Sequence, residues 1–298
     1  MEIVPYGGWT RCVRLKGGGV ELIATLEVGP RIIRFGAEGG PNELVEYPAQ
    51  MGLTGGDEYR SYGGHRLWTA PEDEVRTYEP DNAEVEMEAD GDGVWLRSQP
   101  GPSGLARAMR IEVAPDGRVG LLHLVENRAG RPVRIAPWCL TVMAPGGVCA
   151  FQQAEPKPHP EGLLPSRPLV LWPYTEMADP RWTWGNRVIR LRHDAARGPQ
   201  KVGALIEQGL AVYANHGNVF VKRFPCVAGA EYPDFGSNFE TFTRHDMLEV
   251  ESLGPLVTLG PGDKVEHPEA WFLIFDTALP EDDEECGKLL RLWEETLS

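Results

Sequence analysis

The sequence predicts an all-β fold, a large β-sandwich of short strands with one covering helix at the C-terminus. Three observations predict it. Gly (35 residues) and Pro (26 residues) are abundant, and these residues punctuate short strands. Between the turns, apolar residues recur at a period of two, the spacing of a strand with one face buried. Helical spacing is clear only after Pro280. No compositional break divides the chain, so it reads as a single domain over residues 1–298, without the fixed-period repeat of a solenoid or propeller.

The elements follow in order. Val20, Leu22, Ala24, Leu26 and Val28 alternate with Glu21, Ile23, Thr25 and Glu27. Gly29-Pro30 ends this strand and Arg31 to Phe35 forms the next. Residues 37–56 are a loop rich in Gly, Pro, Asn and acids, and a loop of that length is more often functional than decorative. It leads to Ser61-Tyr62-Gly63-Gly64-His65-Arg66-Leu67-Trp68-Thr69-Ala70-Pro71-Glu72, which gathers an imidazole, a guanidinium, an indole and a carboxylate behind a Gly-Gly that permits close backbone approach to a ligand. The plainer reading makes His65 and Trp68 packing residues beside a turn. Asp90-Gly91-Asp92-Gly93 and Pro115-Asp116-Gly117 mark two hairpins. His123 lies between Leu122 and Leu124 in a strand, a position that favours a structural over a catalytic imidazole.

Val133 to Val142 continues the strand pattern through Trp138. From Gln153 to Pro180 the prolines predict loop or edge structure, where Trp172, with Trp182 and Trp184 just beyond, could line a sugar site or cover a sheet. Asn215-His216-Gly217-Asn218 is a hairpin turn, and the doubly apolar run Ala270 to Phe275 is a buried central strand. At the C-terminus, acids after Pro280 suit a helix start. Cys286, Leu289, Leu290, Trp293 and Leu297 then form one apolar helical face.

Composition excludes several functions. There are 44 acidic against 29 basic residues, a formal charge of −15, and no basic stripe to hold a phosphate backbone, so no nucleic-acid partner is expected. Five separated cysteines make neither a disulfide framework nor a zinc ribbon. No membrane span or leader pattern stands out, and the expected location is cytoplasmic. Nucleotide-binding, P-loop, GxSxG and HExxH motifs are absent. No cofactor and no metal are expected: His267 and Glu269 share a strand face, but an HxE pair alone falls short of a zinc set.

The carboxylates that invite chemistry are Glu249 and Glu251. The period of two puts both on one strand face, roughly 6.6 Å apart. Partly buried like charges at that distance raise at least one pKa, which suits a general base near neutrality. A solvated face with two exposed glutamates is the alternative.

With Gly63-Gly64-His65-Arg66-Leu67-Trp68, then Leu248-Glu249-Val250-Glu251-Ser252-Leu253-Gly254-Pro255 and Leu259-Gly260-Pro261-Gly262, the chain resembles the galactose mutarotase-like superfamily, in an aldose 1-epimerase-like branch. Gly29-Pro30-Arg31-Ile32-Ile33 and Trp271-Phe272-Leu273 extend the similarity along nearly the whole chain. The resemblance implies a β-supersandwich, a monosaccharide or small saccharide as partner, and a sugar site on the concave face of the larger sheet. It implies Glu251 as base on the anomeric hydroxyl and His65 as acid or substrate positioner. Arg66, Trp68, Glu72, Glu249, Trp138 and Trp172 would contact the sugar. The chain departs from the family at its second histidine, where Ala136-Pro137-Trp138-Cys139-Leu140 stands: an indole donates a hydrogen bond but supplies no proton at neutral pH. The ring-oxygen acid is then His65, another residue such as His123, or missing. The last case would leave a non-catalytic carbohydrate-binding protein. A lyase or hydrolase would recruit a tyrosine such as Tyr62, Tyr174 or Tyr232.

Overall fold

The computed structural model describes residues 1–297, and two antiparallel sheets account for most of them. The first has eleven strands. It begins with β1 (Glu2–Tyr6), β2 (Trp9–Gly17), β3 (Val20–Thr25), β4 (Arg31–Ala37) and β5 (His65–Ala70). It continues through β10 (Val133–Met143), β19 (Met247–Leu253), β18 (Phe239–Arg244), β15 (Gln200–Ala204) and β12 (Leu169–Leu171), with β20 (Val257–Leu259) paired to the start of β10.

The second sheet has ten strands. One half holds β13 (Trp182–Trp184), β14 (Val188–Arg192), β11 (Val148–Gln152), β16 (Leu210–Asn215) and β17 (Asn218–Arg223). The other holds β21 (Lys264–Ile274), β9 (Val119–Asn127), β8 (Leu105–Val113), β7 (Gly93–Arg97) and β6 (Glu86–Asp90).

The alternation that predicts the strands also builds the core. In β9, Val119, Leu121, His123, Val125 and Asn127 are buried, while the residues between them are less so. Leu22, Phe35, Met109, Phe220 and Trp271 fill the space between the sheets, and Phe35, Phe220 and Trp271 meet edge-to-face, the favoured contact of aromatic quadrupoles.

The C-terminal helix spans Asp283–Thr296, starting two residues past the first predicted acid, Glu281, and Asp282 caps it by accepting from the Glu285 amide. Cys286, Leu290 and Trp293 lie on Val188, Val212 and Val221, so the helix covers the second sheet. Phe272 and Ile274 of β21 face this layer, which explains the doubly apolar run. No described helix is long and apolar enough to cross a membrane.

The Gly63-Gly64 pair has a packing role. Both residues have positive φ, 99° and 71°. A Cβ on either would stand 2.1 Å from the carbonyl oxygen of Val45 or Ile32. The glycines therefore let the chain pass tightly against Val45 and then against Ile32 of β4 before entering β5.

Candidate functional site

The site is built on the face of the first sheet that is turned away from the second. Strand pairing sets its side chains in ranks. Lys201 pairs with Phe242, and Phe242 with Glu249. One step along, Gly203, Glu240, Glu251, Leu140 and Arg66 follow one another across five strands. A third rank sets Trp138 between Trp68 and Leu253. Residues at every second position of a strand share a face, so these side chains come together although they lie far apart in sequence.

A cleft of about 280 Å³ opens over this face, close to the lower end of small-molecule sites. Arg66, Trp68, Trp138, Leu140, Lys201 and Glu249 line it, with Glu72, Arg244 and four more aromatic side chains at its walls. Arg66 is only 4% exposed. Its guanidinium stacks on Trp68, 4.3 Å from the ring centroid, and donates to Ser61, but it pairs with no carboxylate among the described residues. Arg244 pairs with Asp246, and Tyr78 donates to Glu72.

Lys201 is the structural centre of the cleft. Its ammonium lies 2.6 Å from Glu240 and 3.4 Å from Glu251, between the ring faces of Trp138 and Trp172, at 4.9 and 4.7 Å from their centroids. Burial works against its charge, but Glu251 and Glu240 outweigh burial and hold its pKa above the ordinary lysine value.

Glu249 is 8% exposed, yet its carboxylate makes no hydrogen bond or ion pair among the described residues. Burial, reinforced by the charge of Glu251, raises its pKa to about 7. Glu251 itself is fully buried and takes a 2.7 Å hydrogen bond from Trp138 Nε1. Of the two glutamates, Glu249 is the one that lines the cleft, whereas Glu251 lies beneath Trp138 and Lys201. In exposure the two differ from the expectation: Glu251 is bonded into the wall of the cleft and Glu249 faces its interior.

His65 does not join the cleft. Neighbouring residues of a strand point to opposite faces, so with Arg66 outward His65 turns inward, fully buried between the sheets. Here the bonding order can be read from one fixed point. The His267 carbonyl can only accept, so His123, 2.9 Å away through Nδ1, carries its proton there. Burial lowers the pKa of His65 and His123 and favours their neutral forms. Neutral His123 then accepts at Nε2 from His65 Nε2, at 2.7 Å, and His65 Nδ1 accepts from Thr141 Oγ1 at 2.9 Å. Thr141 accepts in turn from the buried Lys222 ammonium.

Glu269 closes the network. It pairs with Lys222 at 2.9 Å and accepts from Ser252 and Trp271. Burial opposes its ionisation, but the Lys222 ammonium outweighs burial and keeps its pKa below the ordinary range. The donor atoms of His65, His123 and Glu269 approach within 4.8 Å of one another, as do those of Cys139, His267 and Glu269. That spacing would suit a cation, and the Lys222 ammonium supplies one. The group is a hydrogen-bond network that joins one sheet to the other, and His267 and Glu269 belong to it.

The other expected residues divide between the sheets. Arg66, Trp68, Glu72 and Trp138 line the cleft, and Trp172 backs Lys201. Trp182 and Trp184 stack on each other in the second sheet, 4.8 Å apart, away from the site. Lys201, Glu240 and Arg244 escaped the sequence reading. The signal for Lys201 was a cation inside the strand Gln200-Lys201-Val202-Gly203-Ala204, a position seldom filled unless its charge is paired. A smaller cavity of about 180 Å³ lies beyond Trp68. Its carboxylates are engaged, Glu79 by Ser103 and Arg107 and Asp81 by Arg31.

No family model matches the chain, and no curated protein matches it. Solved structures do. A galactose mutarotase-like protein from Lactobacillus casei superposes with a TM-score of 0.58 at 10% identity, over 88% of this chain and 99% of the other. A protein described as a candidate aldose 1-epimerase from Escherichia coli K12 gives 0.54 at 12% identity, over 89% and 99%. A galactose mutarotase related enzyme from Lactobacillus acidophilus gives 0.52 at 9% identity, over 89% and 98%. The fold is therefore the galactose mutarotase-like sandwich.

Proposed function

We propose that the cleft binds a monosaccharide and interconverts its anomers by acid/base chemistry, with Glu249 as the base. One observation carries this reading: a nearly buried carboxylate that lines the cleft, has no protein partner, and has a pKa of about 7. A group poised there accepts a proton at neutral pH and returns it easily. Taking the proton of the anomeric hydroxyl lets the C1–O5 bond open; rotation about C1–C2 and reclosure deliver the other anomer.

The walls suit a sugar. Trp68, Trp138 and Leu140 offer apolar surface to the C–H faces of a pyranose, and the Arg66 guanidinium presents planar donors to hydroxyl groups. The ligand is expected to be uncharged. Lys201 and Arg244 already have carboxylate partners, and Glu72 and Glu249 face the same cleft as the one unpaired cation among its described residues, Arg66, so a phosphate would meet as much repulsion as attraction.

A second reading is sugar binding without turnover, favoured by the absence of any histidine from the cleft lining. Saturation-transfer NMR on D-glucose, D-galactose, D-mannose and D-xylose, with calorimetry on the same sugars, separates the two. Accelerated anomer exchange supports the enzyme, binding alone supports the second reading, and the absence of both rejects each.

A further inference from the structure

We infer that the outer face of the second sheet carries a binding site for a small phosphate monoester, held by Arg190 and Arg192. A cavity of about 420 Å³ opens there, larger than the sugar cleft and on the opposite side of the sandwich. Its volume lies within the range of small-molecule sites. The two arginines line it together with Arg181 and Thr183, and the segment that leads into the C-terminal helix, with Leu279 and Glu281, forms the facing wall.

Strand alternation brings these groups together. Val188 of β14 packs under the C-terminal helix, and every second residue of a strand shares a face, so Arg190 and Arg192 stand on the same outer face. Thr183 of β13 pairs with Arg190, and the Arg192 amide donates to the Arg181 carbonyl at 3.0 Å. On the other side Arg192 pairs with Val148 of β11, and Val148 pairs with Ala214 of β16. Val148 and Ala214 also line the cavity and give it an apolar surface.

The donors of the two arginines are unspent. Arg192 is exposed, and its side chain makes no hydrogen bond or ion pair among the described residues. Arg190 gives one bond, to the Asp282 carbonyl at 3.3 Å, and pairs with no carboxylate among the described residues. The acids nearby are engaged: Asp179 holds Arg181, Asp282 caps the helix, Asp283 accepts from the amides of Asn186, Arg187 and Val188, and Glu284 pairs with Arg187. Glu281 is the one carboxylate of the lining, and it sits exposed at the rim. With their Cα atoms roughly 6.6 Å apart along β14, two guanidinium forks can close on one tetrahedral anion through charge-assisted bonds. A carboxylate is satisfied by one fork, whereas a phosphate dianion matches two. Glu281 then accepts from a hydroxyl of the esterified alcohol. The formal charge of −15 repels anions elsewhere on the surface, so saturable phosphate binding needs a local cluster of this kind.

The test is a phosphorus NMR titration of glycerol 3-phosphate with the full-length protein, in low-salt buffer at pH 8, where the ester is a dianion. The wild type should bind it saturably with a Kd of ~1 mM or below. Arg192→Gln loses no bond within the chain and should fold as the wild type does by circular dichroism, yet weaken binding about 10-fold or more. Arg190→Gln combined with Arg192→Gln should abolish saturable binding, while Arg134→Gln, an exposed arginine of the first sheet, should leave Kd within about twofold. A wild type that shows no saturation below ~10 mM overturns the inference, as does a folded Arg192→Gln with the wild-type Kd or an equal loss in Arg134→Gln. Acetate that displaces the ester at equal concentration overturns the assignment to phosphate. None of these readouts passes through the sugar cleft, so they stand whether or not that cleft turns over a sugar.

Discussion

Replacing Glu249 by Gln should stabilise the protein, and by an amount that grows with pH. The unfolded carboxyl titrates near its ordinary 4.5, while in the fold burial and Glu251 raise it to about 7. Below pH 4.5 both states hold the proton and the fold loses nothing. Between 4.5 and 7 the unfolded chain ionises first, so stability falls as pH rises. Above 7 the loss is complete. A pKa displaced from 4.5 to about 7, at about 1.4 kcal/mol per pH unit, corresponds to ~3 kcal/mol. At pH 5 the same linkage gives only ~1 kcal/mol. Urea denaturation of both proteins at pH 5 and pH 8 measures it. The advantage of Glu249→Gln should grow by about 2 kcal/mol between these values, while anomer exchange is lost. An advantage independent of pH would refute the picture of a carboxylate held in the cleft against its own solvation.

Three further outcomes follow from the same geometry. Glu251→Gln removes a like charge from beside Glu249, so the midpoint of the pH–rate profile should move below that of the wild type; an unmoved midpoint would mean that the two carboxylates are uncoupled. His65→Ala empties part of the inter-sheet core and strands Thr141 and His123, so it should cost about 2–5 kcal/mol in urea denaturation yet leave sugar Kd within twofold; a large loss of affinity would return His65 to the ligand. Burial also lowers the pKa of His65 and His123, and that of His267 to about 3. Depressed imidazole values favour the fold above the ordinary 6.5 and lose that advantage as pH falls toward the folded values. In the Glu249→Gln background the urea midpoint should therefore drop between pH 7 and pH 5, whereas a constant midpoint would contradict neutral buried imidazoles.

Much of the fold was legible because turns and alternation are local signals. Pro115-Asp116-Gly117 and Asn215-His216-Gly217-Asn218 marked the β8–β9 and β16–β17 hairpins, and the helix after Pro280 announced itself by spacing. The site was legible in part. Period two placed Glu249 and Glu251 on one face, but which of them meets solvent depends on Trp138 and Lys201, from strands that only sheet pairing brings alongside. Ser61 to Glu72 read as one binding loop because the start of β5 at His65 went unseen. Once that strand begins, Arg66 and Trp68 must face one way and His65 the other. Glu240 gave no signal at all, since its partnership with Glu251 exists only through the β18–β19 register.

The pH dependence of kcat/KM for anomer exchange, measured on the wild type with the sugar it turns over fastest, tests the central claim most directly. This quantity follows the ionisation of the free enzyme. The account predicts a rise with pH through a midpoint near 7, where Glu249 gives up its proton, followed by a plateau, with no comparable rate in Glu249→Gln. A flat or falling profile across that range, or a Glu249→Gln variant as fast as the wild type, would contradict it.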